Sequence, residues 1–246
     1  GVPVPKGFTY KEGTKDTGLV IKDDNGNEFV WVPATESTYR KDTSFPGVTP
    51  TRDDTLPNGI KDETADVVKY GGFYIGRYEA GIPEGDTSPS NKIGIPVSKK
   101  DATVWTNINY TNAKASAENM ISNEYVQTGL LTGKAWDTVC HWIKSDDELK
   151  DSRTYGNYIN SLAPANENSG TKRTAGFNEN WKVKNIYDLA GNVWEWTSEA
   201  YSSISISRGG SYYDYGGSDF PVSCRDRDSA SGANGVTGFR LRLYIK

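Results

Sequence analysis

NIYDLAGNVWEWTSEA, residues 185–200, sets a glycine turn directly before the run Val193-Trp194-Glu195-Trp196. A glycine turn opening into β-branched and aromatic residues reads as the start of a strand. A second turn, Arg208-Gly209-Gly210-Ser211, follows within SRGGSYYDYGGSDFPVSCRDRD from Ser207, and the chain closes on GFRLRLYIK, residues 238–246. In that closing segment Phe239, Leu241, Leu243 and Ile245 alternate with Arg240, Arg242 and Tyr244. Period two predicts a strand with one buried face and one wet face.

Upstream, Glu28-Phe29-Val30-Trp31-Val32-Pro33 is an apolar run opened by Asn25-Gly26 and closed by proline. It predicts a strand, with residues 18–21 as its hairpin partner. Residues 72–78 predict the next strand. Residues 35–66, with Pro46, Pro50 and Pro57, read as long surface loops, as do residues 83–96 and 164–181. Two helices are expected between them. In residues 112–122, Ala113, Ala117, Met120 and Ile121 share a face, and after the cap residue Thr132 so do Trp136, Val139, Cys140 and Ile143. Cys140 is therefore expected in the core.

Composition narrows the function classes. The chain has 246 residues, only 35% of them hydrophobic, with 26 Gly and 15 Tyr, which suits a loop-rich domain with an aromatic core. A net charge of −4 argues against a nucleic-acid partner, which calls for a basic patch or stripe. No apolar run approaches a bilayer span, so no membrane insertion is expected, and the first residues show no signal-peptide pattern. The two cysteines, Cys140 and Cys224, allow one bridge but no disulfide framework. No repeat or linker divides the sequence, so residues 1–246 read as one domain.

The turn-strand series at residues 185–200, the Arg208-Gly209-Gly210 turn and the terminal strand together resemble the formylglycine-generating-enzyme-like (sulfatase-modifying factor) domain, a branch of the C-type lectin fold. That resemblance implies an α+β fold with two helices, short antiparallel strands and long loops. It also implies that the terminal strand pairs with an early one, for which residues 29–32 or 19–21 are candidates. Enzymes of the family carry a copper-binding cysteine pair, the first after a segment resembling RGGSYL. Here Asp214 stands at the first position, and Cys224, before Arg225, resembles the second. One carboxylate and one thiolate suit Cu(I) poorly, since it prefers soft sulfur. The related sulfoxide synthases hold iron with several histidines, whereas His141 is the single histidine here. It lies about 140° around its helix from Trp136, off the apolar face. A Ser-His-Asp arrangement would need that same histidine and has no GxSxG elbow, and tyrosines follow Gly210 where a P-loop needs a Lys-Ser/Thr helix start.

Two functional expectations remain. The resemblance implies a structural calcium ion held by the side chains of Asp188 and Glu195 and the backbone carbonyls of Gly191 and Val193, hard oxygens suited to Ca²⁺. In the competing reading Asp188 caps the turn and Glu195 pairs with a buried arginine. Beyond it, the Tyr, Ser, Gly and Asp of residues 212–234 make a mixture found in evolved paratopes. The segment resembles the variable region of proteins diversified by retroelements. The framework of residues 208–240 would be Arg208 to Tyr212, Pro221, Arg225 and Gly238-Phe239-Arg240. The displayed positions would be Tyr213, Asp214, Tyr215, Asp219, Phe220, Cys224, Asp226, Arg227 and Asp228, with Trp194 and Trp196 in the core. The expectation is a non-catalytic protein that requires no cofactor and binds a protein or glycan ligand from a phage tail or bacterial cell surface. A metal-dependent oxidase and a purely structural virion module are the alternatives.

Overall fold

A computed structural model describes residues 1–52, 54–162, 164 and 168–246. Among these, the strands are β1 (Phe8–Glu12), β2 (Val20–Asp23), β3 (Glu28–Pro33), β4 (Gly72–Gly76), β5 (Val126–Leu130), β6 (Lys182–Val183), β7 (Ile186–Tyr187), β8 (Trp194–Tyr201), β9 (Ile204–Arg208), β10 (Arg225–Ser229), β11 (Thr237–Phe239) and β12 (Leu241–Ile245). The helices are α1 (Glu63–Tyr70), α2 (Tyr110–Met120) and α3 (Gly133–Ile143). A six-stranded sheet runs β1-β2-β3-β4-β12-β5, a four-stranded one β10-β9-β8-β11, and β6-β7 form a short ribbon. This is the expected α+β architecture. None of the helices is long and apolar enough to cross a membrane.

The early hairpin forms as its turn chemistry dictates. Asp23 Oδ1 accepts the backbone N–H groups of Asn25 and Asn27, and Gly26 adopts a φ of 85°. An Asx turn around a left-handed glycine reverses the chain, pairing Val20 with Val30 and Ile21 with Phe29. Both expected helices are present. Asn109 caps α2 through the N–H of Asn112, and Thr132 caps α3 through that of Ala135.

Alternation along β3 sorts the core onto two faces of the large sheet. Val30 and Val32 pack with Val67 of α1 and with Trp136, Val139 and Cys140 of α3, while Phe29 and Trp31 pack with Ala113 and Ala117 of α2 and with Trp196, Phe239 and Leu241.

Three expectations need correction. A third helix, α1, begins inside the stretch read as loop. Asp62 caps it and Gly71, at φ 80°, ends it, yet Val67 is the only apolar residue it fully buries, so it has no periodic stripe to announce it. The terminal strand is not continuous. It breaks at Arg240, so that β11 pairs parallel with β8 while β12 enters the large sheet between β4 and β5, rather than beside residues 29–32 or 19–21. Nor is its charged face wet: Arg240, Arg242 and Tyr244 are all buried. Burial is tolerated because each guanidinium meets a carboxylate. Arg240 forks onto Glu195 at 2.8 and 3.0 Å, and Arg242 reaches Glu63 at 2.8 Å.

Candidate functional site

The loop between β9 and β10, residues 209–224, is closed at its base by four fully buried side chains. Arg208, the last residue of β9, donates to Asp137 of α3 at 2.6 Å and to Glu199 of β8 at 2.9 Å. Arg225, the first residue of β10, donates to the same two carboxylates at 2.5 and 3.1 Å. Two cations and two anions alternate in a ring with no net charge, so each charge is paired where water is absent. Burial pushes Glu199 up, but Arg208 and Arg225 outweigh it and hold its carboxyl below the usual range. The arginines were legible as framework residues. Asp137 and Glu199 carry no local signal, because their partners are distant in sequence.

Above this base the loop backbone is held mostly by residues outside it. Tyr158 donates to Gly209 O at 2.8 Å and Trp136 Nε1 to Val222 O at 3.0 Å. Ser152 N donates to Gly216 O, Gly216 N to Asn160 Oδ1, and Ile159 N to Asp214 O. Gly209 and Gly210 sit at φ 97° and 76°, and a Cβ on Gly210 would lie 2.7 Å from the Tyr158 ring, so neither position admits another residue without strain.

The displayed set divides. Tyr213 and Tyr215 are 72% and 57% exposed, and Asp219, Asp226 and Arg227 are exposed as well. Asp214, Phe220, Cys224 and Asp228 are not free display positions. Asp214 Oδ2 accepts from Trp194 Nε1 at 2.8 Å, from Ser211 N at 2.9 Å and from Ser211 Oγ at 2.7 Å, and so braces the turn. Phe220 is half-buried, edge-on to Trp194 at 5.8 Å. Asp228 caps the N–H of Ser229 and faces Asn234. Cys224 is buried, and burial pushes its thiol up to about 12, so it is neither an exposed thiol nor a ready thiolate. Cys140 is likewise free and buried. Along β10, period two also places Arg227 on the opposite face from Asp226 and Asp228, and Arg227 lies over the Tyr201 ring. Five of the nine expected display positions are thus exposed, with Asp226 and Arg227 on opposite faces of β10.

Of the two side chains expected to hold calcium, Glu195 is engaged by an arginine and Asp188 keeps one oxygen unpartnered. Both oxygens of Glu195 accept from Arg240, so the guanidinium occupies the place of a cation. Asp188, at φ 58°, accepts from Gly176 N through Oδ2, and its Oδ1 has no partner. Burial raises its carboxyl to about 7. Glu79, which the sequence reading did not single out, lies nearby. Burial, then the charges of Asp188 and Glu195, push it well above the carboxylate range, and Asn192 Nδ2 donates to its Oε1. Three buried carboxyls, Glu79, Asp188 and Glu195, thus lie around the Arg240 guanidinium. Among the described residues no three His, Cys, Asp or Glu side chains are placed to hold a metal ion. His141, half-exposed, has Asp42 at 2.8 Å on Nε2 and Asp146 at 3.3 Å on Nδ1.

The sequence matches the Sulfatase-modifying factor enzyme 1-like domain over residues 22–243. A search of curated proteins finds no match. Among solved structures, Treponema denticola variable protein 1 is 15% identical with a TM-score of 0.49, covering 96% of this chain and 99% of its own. PvdO from Pseudomonas aeruginosa is 14% identical with a TM-score of 0.48, covering 95% and 100%. CarF is 17% identical with a TM-score of 0.46, covering 79% and 95%. With the match spanning most of its length, the chain belongs to the sulfatase-modifying factor enzyme 1-like family.

Proposed function

We propose that this chain is a non-catalytic ligand-binding domain that presents the 209–224 loop to a protein or glycan on a target surface, from a phage tail or bacterial cell surface. The observation that carries this reading is the contrast at one loop. Tyr213 and Tyr215 stand 72% and 57% exposed on a backbone that buried residues fix from below. Two exposed aromatics on a rigid loop offer contact area at low entropic cost, which is what a recognition surface needs. The copper-oxidase alternative loses support on the same residues. Asp214 is engaged by Trp194 and Ser211, and Cys224 is buried rather than open to a peptide substrate.

The test is reconstitution with Cu(I), followed by mass spectrometry of a cysteine-containing peptide. No conversion above a metal-only blank is expected, and clear turnover would overturn the proposal.

A further inference from the structure

Beside Tyr215 lies an open cavity of about 450 Å³, walled on one side by the turn at residues 215–219 and on the other by the segment at residues 150–160. Lys150, Asp151, Arg153, Asn160, Tyr215 and Asp219 line it. We infer that this cavity binds a neutral glycan through vicinal hydroxyls, an inference that rests on reading the chain as a ligand-binding domain.

Charge comes first. Lys150 pairs with Asp147 at 2.8 Å and Arg153 with Asp151 at 2.6 Å, so both cations at the wall are already answered and the Asp219 carboxylate disfavours an acidic ligand. Hydrogen-bonding capacity is the second ground. Asn160 Oδ1 is taken by Gly216 N, which leaves its Nδ2. Arg153 forks onto Asp151 through Nε and Nη2, which leaves Nη1. Among the described residues, the Tyr215 hydroxyl and the Asp219 carboxylate have no protein partner. Donors and acceptors thus share one cavity lining. A sugar hydroxyl both donates and accepts, so adjacent hydroxyls satisfy such a lining in a way that few amino-acid side chains can.

Shape adds to this. The exposed Tyr215 ring offers a flat apolar platform to the C–H face of a pyranose, and the volume falls within the range of small-ligand sites, about 300–1,000 Å³. Both walls are also built in advance. Ser152 N to Gly216 O, Gly216 N to Asn160 Oδ1 and Ile159 N to Asp214 O tie one wall to the other, so little ordering is left for the ligand to impose.

The experiment presents the intact chain to an immobilised panel of neutral oligosaccharides of glucose, galactose, mannose and N-acetylglucosamine. Each hit is then titrated by calorimetry. At least one neutral oligosaccharide is expected to bind. Tyr215→Ala and Asp219→Asn should each weaken it about tenfold, the loss of one good contact, with melting temperatures unchanged. Arg227→Ala, on the other face of β10, should bind as the unaltered chain does. Absence of binding across the panel, or a hit indifferent to both Tyr215→Ala and Asp219→Asn, overturns the inference. A protein ligand whose binding needs Tyr213 would, beside a blank panel, sink the glycan inference and leave the binding-domain reading standing. Turnover of a cysteine peptide with copper would sink that reading itself.

Discussion

Arg208→Ala should be among the most damaging single substitutions available in this chain. Its guanidinium donates to Asp137, Glu199, Ser223 O and Cys224 O, all in the dry interior. Without it, Arg225 alone faces two carboxylates, and a net negative charge is left buried. Removing one partner of a buried ion pair costs about 3–5 kcal/mol, because the survivors lose their compensation. A further loss comes from the space left beside the Trp136 ring, over which the guanidinium lies at 5.6 Å. For a domain of this length each kcal/mol lowers the melting temperature by about 2–4 °C, so a fall of roughly 6–20 °C is expected. Urea unfolding followed by tryptophan fluorescence, with calorimetry in parallel, measures both quantities. Arg208→Met refills most of the volume but restores no charge, so it should stay at least about 2 kcal/mol below the unaltered protein. A loss under about 1 kcal/mol for Arg208→Ala would refute the view that this ring clamps the base of the loop.

Other outcomes follow from the same contacts. Tyr213→Ala with Tyr215→Ala should shift stability by no more than about 0.5 kcal/mol each in urea unfolding, as exposed residues do. Asp214→Ala should instead cost about 1–3 kcal/mol by that assay, because it strands Trp194 Nε1. Trp196→Ala, in the core, should cost about 3–5 kcal/mol. Burial raises Asp54 to about 6 and Asp188 to about 7, both above their unfolded values near 3.9. The folded state then holds protons that the unfolded chain has lost. The stability these groups contribute is complete below about pH 4 and fades as pH rises through 6 and 7, so the melting temperature should fall across that window, and Asp54→Asn should reduce the slope. With Arg240 supplying the positive charge beside Glu195, excess chelator should leave the melting curve where it is; a clear drop would restore the calcium reading.

The sequence was most readable where local chemistry decides structure. Asn25-Gly26 placed the β2–β3 hairpin, Thr132 placed the start of α3, and period-two alternation placed the apolar half of the terminal strand. What escaped was set by distant partners. Alternation implies a wet face for Arg240 and Arg242, and only Glu195 and Glu63, brought in by the fold, make their burial tolerable. The short α1 buries a single valine, so no period announced it and its start read as loop. At the loop of residues 209–224, the glycines were legible from turn chemistry and the framework arginines from the family resemblance. The division among displayed residues was not. Whether Asp214 faces solvent or Trp194 depends on a tryptophan 20 residues away in sequence, and whether Cys224 is exposed depends on how the loop folds back over Arg208.

The central claim is that this loop carries exchangeable side chains on a backbone fixed by other residues. It is tested most directly by randomising positions 213, 215 and 219 together and, in a matched library, positions 214, 222 and 224. Both libraries are displayed on cells and sorted for folded, protease-resistant protein. The account predicts that most members of the first library fold and that few of the second do. Equal survival of the two libraries, or collapse of the first, would contradict it.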